Sequence, residues 1–234
     1  ALLSNPSFKG EFFIYDAQKS QLEKHNIKPT PLDTPLTLDY IILAVKPKDV
    51  QSLAPLSWQG PFISIAAGIS INNLQKTFPN RLLVRLMPNT PLLVKQGISG
   101  VFFDSLWQEK EKNQCLSFLE YFTQIVLLEK EELINAVTAL SGSGPAFVYL
   151  FIEALCDAGV RAGLNKEQAL KLASQTVLGS AQMVISQNLH PCQLKDQVTS
   201  PAGTTIEGIA ALDKNGFKHA VGEAVWAAFL KAQN

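Results

Sequence analysis

Histidine, cysteine and charged residues are all scarce in this sequence. Its 234 residues include three histidines and three cysteines, and Cys115, Cys156 and Cys192 lie far apart with no CxxC pair. Isolated cysteines in odd number argue against a disulfide framework and for a reducing compartment, so we expect a cytoplasmic protein. With so few clustered ligands, we also expect that the protein binds no metal.

The small amount of charge is balanced between the two signs. Charged residues make up 17% of the chain, with 20 Lys and Arg against 20 Asp and Glu. This balance gives no reason to expect a nucleic-acid partner. A shortage of charge usually means that extra surface is buried against another copy of the chain. We therefore expect a homodimer or a larger homo-oligomer.

One long apolar stretch has to be weighed against a membrane interpretation. Residues 133–152 carry no charge and are about as many as a transmembrane helix needs. The stretch is interrupted, however, by Ser141-Gly142-Ser143-Gly144-Pro145, and no flank rich in Lys or Arg follows it. We predict a deeply buried helix of a soluble protein, with a break at this point and no membrane contact.

The first part of the chain alternates between strand-like and helix-like segments. Continuous apolar runs are typical of parallel strands that are covered on both faces. The predicted strands are 12–15, 40–45, 62–67, 82–87, 100–103 and 125–128, and the predicted helices are 17–25, 49–53, 71–78 and 109–121. This alternation predicts an α/β fold with a Rossmann-like, doubly wound parallel sheet over residues 1–130.

From residue 131 to residue 234 the sequence predicts an all-helical domain. Between Leu133 and Leu164 the charged residues are Glu153, Asp157 and Arg161, which lie along one helical stripe and leave the rest of the helix apolar. A second long helix is predicted over 166–187, and shorter ones after Pro201 and Phe217. These helices cannot all bury one another, so we expect an isologous dimer.

The residues that follow each predicted strand are candidates for ligand binding, because ligands of such sheets bind beyond the carboxyl ends of the strands. An acidic residue after a strand often accepts from the adenosine ribose, and small residues let the backbone approach a ligand. Each turn has an ordinary explanation as a helix cap or a turn former, but together they indicate a dinucleotide site. The candidate cofactor-binding residues are Asp16, Ala44, Val45, Lys46, Pro47, Ala66, Ala67, Gly68 and Asn89.

One expected feature of a dinucleotide site is missing. No GxGxxG turn occurs anywhere in the sequence, although such a turn should follow the first strand of the sheet. Residues 1–6 look like the end of a helix. We infer that the first strand, the glycine-rich loop and most of that helix lie upstream and are missing from this chain.

Two segments of the helical part carry sharper signals. Residues 194–207 run from one helix into another through Ser200-Pro201-Ala202-Gly203, and a helix start of this kind offers free N–H groups to a substrate carboxylate. A simple Ser or Thr cap is the ordinary alternative. Ser141–Pro145 breaks a buried helix with two glycines, which indicates either a ligand that approaches the backbone or a helix–helix contact.

Taken together, these segments resemble the pyrroline-5-carboxylate reductase family. They follow the family's order at compatible spacing from about residue 11 to the C-terminus, and residues 194–206 are close to its signature. The strand-end turns are less specific. Ala202 departs from the pattern, because the family commonly has glycine at this position.

The resemblance implies the last step of proline biosynthesis, in which 1-pyrroline-5-carboxylate and NADP(H) or NAD(H) give L-proline. It implies a Rossmann domain followed by a helical domain that dimerises through interlocking helices. By analogy, residues 44–47 would line the adenosine side of the dinucleotide, and residues 66–68 with Asn89 the nicotinamide side. The substrate would be held by Ser141, Gly142, Asp196, Gly203, Thr204 and Thr205.

Thr205 is the candidate catalytic residue, because its hydroxyl could hydrogen-bond the amine as it forms. Reducing a protonated imine needs neither a metal nor a strong base, so the shortage of histidine is consistent with this chemistry. The choice between cofactors stays open, since Asp16 favours NADH while Lys19 could contact a 2′-phosphate.

Two alternatives remain at this stage. A related two-domain NAD(P)-dependent hydroxy-acid dehydrogenase would use a Lys or a His for proton transfer, and the corresponding helix offers no obvious candidate. The second alternative is a non-catalytic dimeric ligand-binding protein that lacks the cofactor loop.

Overall fold

The computed structural model describes residues 7–24, 27–54 and 56–233 and contains one five-stranded sheet. The strands are β1 (Ile41–Leu43), β2 (Phe62–Ser64), β3 (Leu83–Met87), β4 (Ile98–Phe103) and β5 (Gln124–Leu127), and they lie side by side in chain order. β1, β2 and β3 are parallel to one another. The predicted Rossmann-like sheet is confirmed for these five strands.

The prediction of a parallel sheet is wrong at β4. This strand runs antiparallel to β3, and β5 then runs parallel to β4. A parallel neighbour requires a crossover of a dozen or more residues, usually through an α-helix. Here residues 88–97 contain only a short 3₁₀ helix, Thr90–Val94, so the chain turns back on itself.

The predicted strand at 12–15 is also wrong, because these residues join no ladder among the residues described. The carbonyl oxygen of Ile14 accepts from the N–H of Thr30 at 2.8 Å, while Phe12 and Tyr15 are exposed. An apolar run becomes a strand only where its backbone groups meet a neighbouring strand. The predicted helix end at residues 1–6, together with His25, lies outside the described residues.

Helices cover both faces of the sheet. The helices of this region are α1 (Lys19–Lys24), a 3₁₀ helix Pro47–Leu53, α2 (Ile71–Thr77) and α3 (Glu109–Leu119), at the predicted positions. On one face Phe62, Leu74 and Leu83 are buried, and on the other Ile63 and Val84. Coverage of both faces explains why the strands are continuously apolar.

The rest of the chain is helical, as predicted. Its elements are α4 (Leu133–Val137), a π-helical turn Thr138–Gly142, α5 (Gly144–Arg161), α6 (Lys166–Gln187), α7 (Pro191–Gln197), α8 (Thr204–Lys214) and α9 (Phe217–Ala232). The chain divides into a sheet unit, the described residues up to Gly142 with those from Phe229 onward, and a helical unit, Ser143–Ala228. A domain boundary near residue 130 stays a prediction.

The prediction of a deeply buried helix is wrong for the single chain. By length and composition alone, Leu133–Arg161 could cross a membrane, yet only 11% of its most apolar window is buried. The side chain of Leu150 in α5 is 66% exposed. In α5, Cys156 is buried against Ala169 and Ala173 of α6, and most of the other apolar side chains of α5 are exposed.

Candidate functional site

The carboxyl ends of β1, β2 and β3 meet at one edge of the sheet. Leu43 is aligned with Ser64, and Ser64 with Arg85, so the three strands end at neighbouring positions. The segments that follow them, Ala44–Pro47, Ala66–Gly68 and the turn with Asn89, therefore lie along the same edge. The structure brings together eight of the nine candidate cofactor residues in this way.

The turn after β1 leads directly into a 3₁₀ helix. Lys46 has an extended backbone, and Pro47 occupies the first turn of the helix, where its fixed φ fits and its missing N–H costs nothing. Ala44, Lys46 and Pro47 are exposed. The result is a stiff turn whose backbone a ligand can approach.

The turn after β2 is open around its glycine. Gly68 has φ +71°, a left-handed conformation that strains most other residues, and among the described residues no atom beyond its chain neighbours lies within 4 Å of the position a Cβ would take. Ala67 is exposed, and the N–H of Ala66 donates to the Ser64 hydroxyl at 3.4 Å. This turn leaves room for a flat group to lie against the backbone.

Asn89 has a fixed side chain at the end of β3. The backbone N–H of Ile98 donates to its Oδ1 at 3.0 Å, which ties the turn to the start of β4. Because only the oxygen can accept this bond, the NH₂ group faces the other way as a donor. Asn89 therefore carries an oriented NH₂ group, with two N–H donors, at this edge.

No strand of the described sheet leads into Asp16. It follows a segment that is not a strand, and its Oδ1 accepts from the N–H of Gln18 at 2.7 Å. Such an Asx turn is the ordinary role of aspartate before a helix. Its contact with a ribose stays a prediction.

The π-helical turn that contains Ser141 and Gly142 packs on the sheet. The Ser141 hydroxyl donates to the carbonyl oxygen of Val137 at 3.1 Å, and a Cβ on Gly142 would lie 2.9 Å from the Cε of Met87 in β3. Close packing against Met87 within the sheet unit therefore accounts for the glycine at position 142. Gly144, at the start of α5, has open space around it.

The start of α8 carries no side-chain cap. Gly203 is the N-cap residue, and Thr204 and Thr205 are exposed in the first turn, where backbone N–H groups have no partner within the helix. Ala202 has φ +54°, the left-handed region in which only glycine escapes strain. This conformation explains why glycine suits position 202.

Asp196 lies in α7 and forms an exposed ion pair. Its Oδ1 lies 3.0 Å from the Nζ of Lys195, and the bond to this carboxylate raises the pKa of Lys195. Asp196 belongs to the same segment of the helical unit as Gly203 and the two threonines. Its contact with a substrate stays a prediction.

Sequence reasoning missed a pair of charged residues beneath the strand ends. The Nη1 of Arg85 donates to the Oε1 of Glu131 at 2.9 Å, and the backbone N–H of Ile71 donates to the same oxygen at 2.7 Å. The side chain of Arg85 is only 8% exposed and that of Glu131 is 23% exposed. The available signal was a lone arginine within an apolar strand, which requires a charged partner.

Comparisons with known proteins agree with this arrangement. Residues 131–234 match the family model for pyrroline-5-carboxylate reductase dimerisation. Over 226 residues the chain is 40% identical to the pyrroline-5-carboxylate reductase of Synechocystis. This alignment covers 94% of this chain and 84% of the Synechocystis protein. The chain belongs to the pyrroline-5-carboxylate reductase family.

Other members of the pyrroline-5-carboxylate reductase family resemble it at similar levels. The Glycine max enzyme is 44% identical over 86% of this chain and 75% of its own length. Among solved structures, the Coxiella burnetii enzyme has a TM-score of 0.81 at 31% identity, over 93% of this chain and 85% of that one. The Plasmodium falciparum enzyme, solved with NADP bound, has a TM-score of 0.74 at 38% identity, over 82% of this chain and 79% of that one.

Membership of the pyrroline-5-carboxylate reductase family identifies the chain as an oxidoreductase with a Rossmann-like sheet and a helical C-terminal region. Among the described residues, no group of three or more His, Cys, Asp or Glu side chains could hold a metal ion.

Proposed function

We propose that this protein reduces 1-pyrroline-5-carboxylate to L-proline with NADP(H) or NAD(H), the last step of proline biosynthesis. The observation that carries the proposal is the 40–44% identity to pyrroline-5-carboxylate reductases over most of the chain. No observation favours a hydroxy-acid dehydrogenase or a non-catalytic protein.

The start of α8 supports binding of the substrate carboxylate. The first-turn N–H groups are unpaired within the helix, and the helix dipole adds positive potential at this end. Gly203 has no side chain of its own, and the Ser200 hydroxyl lies against the position that its Cβ would take. We assign the carboxylate to Gly203, Thr204 and Thr205, with Asp196 of the same unit as a further substrate-binding residue. A substrate contact of Ser141 and Gly142 stays a prediction.

Thr205 is assigned the catalytic role. The ring nitrogen of the substrate must carry a proton for the adjacent carbon to accept hydride, and the nitrogen becomes an amine when it does. The exposed Thr205 hydroxyl can accept a hydrogen bond from the protonated nitrogen and hold the ring in place. Positioning of this kind supplies much of the barrier reduction in such reactions.

The strand ends of the sheet unit fit a dinucleotide. When bound, the nicotinamide ring supplies the hydride. Ala44–Pro47 lines the adenosine side, Ala66–Gly68 receives the nicotinamide side against open backbone, and Asn89 donates from its NH₂ group. Asp16 is kept as a ribose-binding residue.

We further propose that the protein is a cytoplasmic homodimer or larger homo-oligomer. The match to a dimerisation family model and the exposed apolar side chains of α5 support self-association. Cys115 and Cys156 are buried as free thiols, which suits a reducing compartment.

The direct test measures NADPH and NADH oxidation by the full-length protein with 1-pyrroline-5-carboxylate. We expect turnover to proline, and much slower turnover with 1-pyrroline, which lacks the carboxylate that α8 would bind. A panel of keto acids tests the hydroxy-acid dehydrogenase reading. Turnover with a keto acid but not with the pyrroline would refute the proposal, and so would the absence of turnover with every substrate.

A further inference from the structure

We propose that Glu131 is a positioning residue for the dinucleotide, because its carboxylate ties the Ala66–Gly68 turn to β3 through Arg85. This inference deepens the proposed function and rests on it. It assigns a role to two residues that contact neither substrate nor cofactor in the scheme above.

A single carboxylate oxygen joins three parts of the sheet unit. The Oε1 of Glu131 accepts from the Arg85 side chain in β3 and from the backbone N–H of Ile71. Ile71 is the first residue of α2, and Glu131 lies in the segment that leads into α4. The start of α2 is therefore held by a residue 60 positions away in sequence.

The turn that we assign to the nicotinamide side is anchored at its two ends. At the first end the N–H of Ile65 donates to the Leu43 carbonyl at 3.1 Å, and at the other Ile71 is bound to Glu131. Between them, no described atom outside the chain neighbours of Gly68 lies within 4 Å of its Cβ position, whereas Ala66 and Ile69 pack against the core. The hydrogen bonds at the two ends therefore hold the turn together with this packing.

Arg85 connects the second anchor to the end of β3. It lies two residues before Met87, which packs on Gly142, and four before Asn89. Shortening or neutralising the link would remove this hydrogen-bonded connection between α2 and β3 and leave only the packing of Ile71 and Leu74 against the core. The Ala66–Gly68 turn would then shift relative to Asn89, and both are assigned to the same half of the dinucleotide.

The pair has no evident purpose as a source of stability. Removing two charges from water carries a large desolvation penalty, and an apolar pair of similar size is often as stable. Stability therefore gives no reason to prefer Arg and Glu here, whereas directed bonds to two separate elements do.

The test combines three variants with a matched control. Glu131→Gln keeps an oxygen acceptor but leaves Arg85 without a countercharge, Arg85→Met removes the other partner, and the double variant removes both charges. The control is Lys112→Met with Glu109→Gln, an exposed ion pair in α3 with the same 2.9 Å separation. Each protein is measured by NADPH fluorescence titration, thermal unfolding and steady-state kinetics.

We expect Glu131→Gln to weaken NADPH binding about tenfold, as a displaced binding element does, and to change the KM for the pyrroline less than about twofold. The double variant should regain thermal stability, because no lone buried charge remains, without regaining NADPH affinity. The control should match the wild type. If NADPH affinity returned together with stability, or never fell, the positioning role would be refuted.

The titration separates this inference from the proposed reaction. NADPH binding needs no pyrroline, so a wild-type protein that binds NADPH but reduces no pyrroline would refute the reaction, while the affinities of the variants would still decide the role of Glu131.

Discussion

The sheet unit contains two large clusters of buried apolar residues, whereas the helical unit contains one small cluster and leaves many of its apolar residues exposed. Phe62, Ile63 and Leu83 are almost fully buried between the sheet and its helices. In the helical unit the described buried cluster consists of Cys156, Ala169 and Ala173. A cluster of two alanines and a cysteine is too small to hold several long helices together.

The difference shows which unit can be complete as a single copy. The central strands β2 and β3 are covered on both faces of the sheet, while Ile42 in β1 and Val126 and Leu127 in β5 are exposed. On α5 the neighbouring residues Val148, Tyr149, Leu150 and Phe151 are all exposed. Contiguous exposed apolar surface of this kind marks a protein contact, and a second copy of the chain offers the matching surface.

The largest expected effect comes from placing a charge on this helix. In Leu150→Glu a carboxylate would have to be buried twice in a symmetric dimer, at several kcal/mol, so association should weaken about 1000-fold. Light scattering should then give the mass of one chain in place of two.

The control for this variant is Leu106→Glu. Leu106 is also exposed, but it lies in the sheet unit beyond the end of β4, at the opposite edge from the candidate cofactor turns. The mass of the Leu106→Glu variant in solution should equal that of the wild type. A dimer that survives Leu150→Glu would show that α5 does not form the contact.

The next effect concerns the start of α8. Thr205→Ala should lower kcat about 100-fold, because a group that orients the reacting nitrogen is lost. Thr205 is exposed, so the free energy of unfolding should change by less than about 0.5 kcal/mol. Thr77→Ala, at the far end of α2, should leave kcat unchanged. Equal rates for Thr205→Ala and the wild type would remove Thr205 from catalysis.

Two variants of Asn89 separate fold from ligand contact in the sheet unit. Asn89→Ala loses the bond to the Ile98 N–H and should destabilise the protein by about 1 kcal/mol, whereas Asn89→Asp keeps an acceptor and the stability. Both lose the NH₂ donor, so both should raise the KM for the dinucleotide about tenfold. Denaturant unfolding and steady-state kinetics check this pair. An unchanged KM in Asn89→Asp would contradict the assigned contact.

The smallest effect lies in the turn before α8. Ala202→Gly relieves the strain of φ +54° but adds freedom to the unfolded chain, for a net gain of about 0.5 kcal/mol. Ala210→Gly, within α8, should instead cost about 1 kcal/mol. Thermal unfolding compares the two, and destabilisation by both would show that position 202 is not strained.

Local patterns predicted most of the elements well. α6 begins and ends as predicted, since Asn165 and Gln168 form a capping box at its start and Asn188 adopts a left-handed conformation at its end. The break before α5 and the position of β3 also follow from their own residues.

Features that depend on distant partners could not be predicted. The segment 12–15 has no strand beside it among the described residues. Glu131 and Arg85 are 46 residues apart in the sequence, so their contact depends on the fold. The direction of β4 follows from its short connection to β3, which the alternation of strands and helices alone does not reveal. The exposure of α5 depends on which surfaces a single chain can supply. A hydrophobic pattern shows that a helix face is apolar, but not whether the same chain or a second copy covers it.

A crystal structure of the full-length protein with L-proline and NADP⁺ would show where the substrate carboxylate binds. The proline carboxylate should lie within about 3.5 Å of the backbone N–H groups of Thr204 and Thr205, with the ring nitrogen beside the Thr205 hydroxyl. Proline bound with no atom in contact with the first turn of α8 would contradict the account.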